Sequence, residues 1–438
     1  MKKYTAVLRE LKSFLILWST QSFSALGSSM TSFALVVWSY QQRGSALTTS
    51  LLAVCSYAPY VLMSIFAGAL SDRWNKKAAM LVCDTLAAAS TAAVLILLQN
   101  GRLEIWHLYF LNAVNGLMNT VQKPAADVAV SLLTPRAHYQ KACGLRSFSN
   151  SLNTVLSPMI ATALLSLLGI KAVLLFDLAT FAVAFAALLF FVEIPSSVSD
   201  GAERVSVLRS AGAGLGYLRR NRGILDLILF LAAINFTASI YNAALPAMLL
   251  SRNGGSEFAL GAENTVTGLA MLAGSVLASS LPAPKSRVRT IFAALLFSMS
   301  TENFFLAFGR TVPVWCAGAV LGWIGIPIMG VNMDVLMRSS IPIPMQGRVY
   351  SARNTLQFFT IPVGYFIGGF LIDRVFEPFM ASQEAGSLLA AVFGLGKGSG
   401  AALLFFVIAL IGSATCLLFR RDRHIWALEE NGKASEEL

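Results

Sequence analysis

Between two long apolar runs the chain reads Gly68-Ala69-Leu70-Ser71-Asp72-Arg73-Trp74-Asn75-Lys76-Lys77. Its last six residues hold one acid and three cations, whereas the flanking runs, 47–71 and 78–99, carry a single ionisable acid or base, Asp84. Each run exceeds the roughly 20 residues that a helix needs to cross a hydrocarbon core. The stretch is therefore a polar loop between two membrane-spanning helices. Within it Gly68 permits close approach to a neighbouring helix, and Asp72 can accept from a helix N-terminus or a cation. Lys76 and Lys77 suit anionic headgroups.

The same pattern extends over the whole chain. Of its 438 residues, 56% are hydrophobic and 13% charged, about half the charged share of a soluble domain. That excludes an ordinary soluble globule. Long uninterrupted runs such as Ala401–Phe419 exclude a barrel, whose strands read as short alternating segments. Apolar runs cut by charged or Gly/Pro breaks predict spans over 14–39, 47–71, 78–99, 105–133, 142–168, 172–193, 224–250, 261–282, 290–309, 313–337, 348–374 and 399–419. The expected fold class is an all-α membrane protein with twelve transmembrane helices in two six-helix bundles. The expected domains are an N-terminal bundle (1–193), a linker (194–223), a C-terminal bundle (224–424) and a tail (425–438).

Charge placement predicts orientation. The net charge is +11, and 25 of the 33 Lys and Arg fall on one side of this layout. By the positive-inside rule that side is cytoplasmic and holds both termini. The basic start has no small-residue cleavage site and is read as leading into span 1. In the linker, Val205, Leu208, Leu215 and Leu218 could form the apolar side of a helix on the inner leaflet, and a solvated linker is the alternative. Five separated cysteines and the scattered His107, His138 and His424 predict neither disulfides nor a metal site, and no cofactor is expected. They also supply no catalytic constellation, so no enzyme is expected.

The loop resembles the signature of the major facilitator superfamily, G-x-L-x-D-R-x-x-R/K-R/K. Tyr57-Ala-Pro-Tyr60, Asp84, Pro124-Ala125 and Gly347-Arg-Val-Tyr-Ser351 extend the likeness to the drug-exporter branch that contains the macrolide efflux proteins. Lys141–Asn150 and Met345–Arg353, each followed by a Pro, also echo one another about 200 residues apart, as in repeat-built transporters. The resemblance implies alternating access and export of amphipathic compounds, usually against proton entry. It makes Gly68, Asp72, Arg73, Lys76 and Lys77 a cytoplasmic gate, with Asp127 within reach of Arg73. Relatives often carry an arginine in span 4 where this chain has Asn115. The 8–9 loop, Pro282–Arg287, has no Asp.

Polar side chains are costly in hydrocarbon, so stripes at helical spacing should face a wet interior. Span 1 carries Gln21, Ser24, Ser28 and Thr31, and span 4 carries Asn112, Asn115, Asn119 and Gln122. Span 5 carries Arg146, Asn150, Asn153 and Ser157, and span 7 carries Asn235, Ser239 and Asn242. With Lys123 they form the candidate substrate cavity, joined by the aromatics Phe23, Tyr241 and Trp323. Lys123 and Asp127, one turn apart, are expected to pair. Asp84, Asp177 and Glu302 are read as members of structural pairs. The expected function is efflux of hydrophobic or amphipathic small molecules by a multi-pass monomer in the bacterial cytoplasmic membrane. A proton is the coupling ion, membrane lipid the surroundings, and no nucleic acid is bound. Siderophore export, lysolipid flipping and a transport-inactive sensor are the alternatives.

Overall fold

The computed structural model describes residues 10–73, 75–135, 138–195, 215–252 and 254–436, with side chains left out at 64–73, 139–141, 143, 338, 343–344, 346–348, 351 and 430–436. Helices dominate the described residues, and no strand occurs among them. This is the expected response to a bilayer, where each backbone amide must find its partner within its own segment.

The first six helices are α1 (Lys12–Arg43), α2 (Ala46–Arg73), α3 (Lys76–Gln99), α4 (Ile105–Leu133), α5 (Tyr139–Leu168) and α6 (Ile170–Phe191). After the linker come α7 (Arg222–Ser251), α8 (Glu257–Ser280), α9 (Arg287–Phe308), α10 (Val312–Trp323), α11 (Ile326–Ser340), α12 (Ile343–Phe358) and α13 (Thr360–Leu371). A π-helical turn, Ile372–Phe376, leads into α14 (Glu377–Ala381), α15 (Leu388–Phe393), α16 (Ser399–Phe419) and α17 (Arg423–Glu436). The expected spans 10 and 11 are thus each broken, at Ile324–Gly325 and Phe359. Nine segments among the described residues are long and apolar enough to cross a membrane. The helices at expected spans 1, 4 and 8 fall outside that set. Amides and hydroxyls fill α1 and α4, and α8 buries Glu263.

The chain divides into two compact units. Unit 1 is Met1–Ser39 with Cys55–Arg204, and unit 2 is Tyr40–Val54 with Val205–Leu438. In unit 1, Leu17, Met80, Cys83, Val121 and Leu188 pack α1, α3, α4 and α6 together. Met30, Ala161 and Val173 add α5 to α1 and α6. In unit 2, Leu227, Phe230, Phe292, Met333, Val349 and Cys416 join α7, α9, α11, α12 and α16.

Short segments depart from the sequence layout. Residues 40–54 group with unit 2 because the Asp373 carboxylate holds the start of α2. It accepts from Ser45 Oγ (2.5 Å), Ala46 N (2.9 Å) and Leu47 N (3.0 Å), satisfying amides that a helix start leaves open. Most of the proposed amphipathic linker helix, residues 196–214, lies outside the described residues. Leu218, expected to face lipid, is instead fully buried in the unit 2 core. The tail forms α17, whose Ile425 and Leu428 enter that core. Glu429 accepts from Ser286 Oγ (2.7 Å) and Arg287 N (2.9 Å) at the start of α9.

Candidate functional site

Unit 1 encloses a cavity of about 730 Å³ bordered by α1, α3, α4, α5 and α6. Ten unit 1 candidates line it, Gln21, Ser28, Asn112, Asn115 and Asn119, then Gln122, Lys123, Arg146, Asn150 and Asn153, together with Ser24 and Thr31, whereas the expected Ser157 and Phe23 do not. Helical spacing on three separate helices therefore converges on one space. Asn112 Nδ2 turns back to Leu108 O (2.8 Å), and Asn153 Nδ2 crosses to Ser22 O (3.4 Å). Asn115 Oδ1 has no partner among the described residues. It is a buried acceptor left unsatisfied beside the cavity.

Three carboxylates line this cavity, Asp84, Asp127 and Asp177, and the first and last of them are buried. Asp177 accepts from Ser28 Oγ (3.1 Å), Thr31 Oγ1 (2.9 Å) and Thr91 Oγ1 (3.1 Å). Gly27 permits that convergence, since a Cβ there would lie 2.5 Å from Thr180 Oγ1 and 2.9 Å from Asp177 Cα. Asp84 accepts from Gln21 Nε2 (2.9 Å) and from Gln122 Nε2. Both acids line the cavity, and neither has a cation at ion-pair distance among the described residues. The expectation of structural charge pairs is therefore corrected: neutral donors solvate these acids. Asp84 and Thr91, two turns apart on α3, carried the missed signal of a polar face.

Lys123 and Asp127 do not pair. Asp127 binds Arg146 at 2.5 Å, from the neighbouring helix, while Lys123 Nζ sits 5.0 Å from the centroid of the Tyr60 ring. A ring face attracts a cation, and the Lys123 side chain is otherwise exposed. Asn235, Ser239 and Asn242 belong to unit 2 and do not line this cavity. Asn242 Nδ2 returns to Ala238 O (2.8 Å), Ser239 Oγ to Asn235 O (2.7 Å), and Asn235 Nδ2 reaches Gln357 O (3.4 Å).

Of the expected gate, Gly68, Asp72 and Arg73 have side chains outside the described set. From Asn75 onward the loop's side chains are described. Asn75 Oδ1 accepts from Ala78 N (3.1 Å) and caps α3, as Asn does at helix starts. Lys76 is buried. Lys77 Nζ donates to Leu189 O (2.9 Å) in the last turn of α6, where carbonyls are free and the helix dipole favours a cation.

Unit 2 holds a second polar cluster. Tyr241 Oη lies within hydrogen-bonding distance of Glu302 Oε1 and 3.2 Å from Glu263 Oε1. Trp323 Nε1 donates to Glu302 Oε1 (2.7 Å) and Thr267 Oγ1 to Glu263 Oε1 (3.3 Å). Tyr241 and Trp323, expected on the cavity, instead attend these buried acids. Arg252 closes the end of α7, donating to Leu306 O (3.0 Å), Ala307 O (3.3 Å) and Phe393 O (3.1 Å). Burial pushes its guanidinium down to about 10, with Arg310 adding to the effect, so it stays charged at neutral pH. Elsewhere His424 Nδ1 lies 3.1 Å from Asp226 and 3.4 Å from Asp422, fastening α17 to α7.

A bundle of long apolar helices around a polar-lined cavity defines a multi-pass membrane transporter. The chain belongs to the Major Facilitator Superfamily, which it matches over residues 17–365. It is 22% identical to macrolide efflux protein A of Streptococcus pyogenes over 367 residues, 83% of this chain and 90% of that one. It is 24% identical to the uncharacterized MFS-type transporter YfiS of Bacillus subtilis, covering 84% and 89% of the two chains. A mutant of the nucleoside transporter NupG superposes with a TM-score of 0.72 at 13% identity, covering 93% and 99% of the chains. A POT family transporter in complex with 5-aminolevulinic acid gives 0.70 at 12%, covering 97% and 96%. The family makes the chain a non-enzymatic transporter of small molecules, and the solved neighbours share its fold.

Proposed function

We propose that the protein exports amphipathic, amine-bearing small molecules of macrolide-like character by alternating access, driven by proton entry. The observation that carries this reading is the unit 1 cavity, where amides and hydroxyls line the wall and Asp84 and Asp177 have only neutral partners. A carboxylate without a cation attracts a cationic substrate group, and a mixed polar and apolar wall suits an amphipathic body. The macrolide efflux relatives agree with that chemistry. An acidic siderophore fits less well, because Arg146 is tied to Asp127 and Lys123 rests on Tyr60.

In this reading the ten cavity residues of unit 1 contact substrate. Asn235, Ser239 and Asn242 serve the C-terminal bundle as its polar face. Gly68, Asp72, Arg73, Lys76, Lys77 and Asp127 form the cytoplasmic gate. Twelve helices span the cytoplasmic membrane of a bacterium as bundles 1–193 and 224–424, with both termini inside and the protein working as a monomer amid lipid. The test is accumulation of radiolabelled erythromycin in an efflux-deficient host. Expression should lower accumulation several-fold, an uncoupler should restore it, and Asp84→Asn should weaken the effect. Unchanged accumulation with well-expressed protein would overturn the macrolide assignment.

A further inference from the structure

Glu263 and Glu302 are 1% and 4% exposed, and among the described residues no Lys, Arg or His lies at ion-pair distance from either. Two ionised carboxylates in such a place are costly, because burial removes water and nothing supplies the opposite charge. Their hydrogen bonds say how the cost is avoided. Tyr241 Oη contacts a carboxyl oxygen of each glutamate, yet a phenol has one proton to donate. If that proton goes to Glu302, the 3.2 Å contact to Glu263 needs a hydrogen that only a protonated Glu263 can supply. The reverse assignment places the proton on Glu302. Either way the trio closes only when the pair carries one proton.

A second observation points the same way. Glu263 Oε2 is buried and has no partner among the described residues. An ionised oxygen left bare is far more costly than an oxygen of a neutral acid.

The surroundings are built around this pair. Gly322 on α10 makes room for Glu302, since a Cβ there would lie 2.5 Å from Glu302 Cβ and 2.6 Å from its Oε2. Trp323 donates to Glu302 from the same helix, and Phe405 of α16 packs edge-on against Tyr241 with ring centroids 5.5 Å apart. The other titratable group within electrostatic reach of Glu263 is the Cys316 thiol on α10. From α11, which also packs on α8 and α9, Asp334 turns to Arg353 of α12 (3.8 Å).

We infer that Glu263, Tyr241 and Glu302 form a one-proton site in unit 2, and that this is the proton whose entry drives transport. Its driving role rests on the antiport reading above; its protonation does not. Unloading breaks one carboxyl O–H bond, leaves the electron pair on oxygen and passes the proton to water. That creates two adjacent carboxylates, so it requires water to reach the site. Reloading takes a proton from water on the other side. A sealed pair that discharges only when wetted ties proton movement to a change of conformation.

Infrared difference spectra of the purified protein at neutral pH, wild type minus the Glu263→Gln/Glu302→Gln double variant, test the protonation. The expected difference contains one protonated carboxyl per chain, its C=O band shifting in D2O, and one carboxylate. Tyr241→Phe, which keeps both acids, should move the band without removing it. Two carboxylates and no protonated band would overturn the site, as would a band unmoved in Tyr241→Phe. The driving role is tested in cells with erythromycin. Either single Gln variant should lose uncoupler-sensitive efflux about tenfold, and variants with undiminished uncoupler-sensitive efflux would overturn that role. Uncoupler-insensitive efflux by the wild type would instead sink the antiport reading, and the infrared band would still decide the proton site.

Discussion

Each unit buries two carboxylates among helices, and the two units treat them differently. Asp84 and Asp177, 7% and 5% exposed, line the wall of a cavity and collect five neutral donors between them. Glu263 and Glu302 are sealed under Tyr241, Trp323 and Phe405, share one phenol, and leave an oxygen unpartnered. A carboxylate beside water can stay ionised and wait for a cationic ligand. A sealed pair with too few donors has to hold a proton. Donor count and access to water, more than the acid itself, separate a substrate site from a proton site.

A glycine stands at both sites, Gly27 against Asp177 and Gly322 against Glu302, and Arg252 shows how the sealed unit treats a cation. Arg252→Met should have the largest effect on stability. It strands carbonyls at the ends of α9 and α15 that the guanidinium now satisfies, costing on the order of 3 kcal/mol. Thermal unfolding in detergent measures this, and an unchanged midpoint would show that water replaces the guanidinium and that unit 2 is wetter than described here.

The glycine pair gives the smaller and sharper test. Gly322→Ala should cost about 2 kcal/mol and Gly27→Ala about 1 kcal/mol, both within the usual range for overpacking. In unit 2 the added methyl meets the Glu302 side chain from Cβ to Oε2, whereas in unit 1 its shortest contact is Thr180 Oγ1, a hydroxyl that can turn away, beside the 2.9 Å approach to Asp177 Cα. Equal losses would erase the distinction between the sites.

Much of this was legible in the sequence because a bilayer simplifies the problem. Apolar runs must be helices, and polar residues at steps of three and four mark the face that avoids lipid. Hence periodicity alone turns Gln21 to Thr31, Asn112 to Gln122 and Arg146 to Asn153 away from lipid. Partners across helices were not legible. Asp127 prefers Arg146, nineteen residues away, over Lys123 on its own helix, because two helices bring those ends together and Tyr60 offers Lys123 a ring. Glu263 is not legible from sequence, since an acid in the first two turns of α8 has no charged spacing partner on its own helix. Its meaning comes from Tyr241 and Glu302, 22 and 39 residues away on neighbouring helices. Leu218 has a spacing that suits a leaflet-bound helix or a solvated linker, yet it enters the unit 2 core.

The division of labour between the two acid pairs is tested most directly by proton release on substrate binding. Purified protein in weakly buffered detergent is mixed with erythromycin and the pH followed with an indicator dye. Wild type should release about one proton per molecule bound. The Glu263→Gln/Glu302→Gln variant should bind without release, and Asp84→Asn should still release its proton but need several-fold more erythromycin. Release abolished by Asp84→Asn and untouched in the glutamate variant would contradict the account, moving the proton site into the cavity.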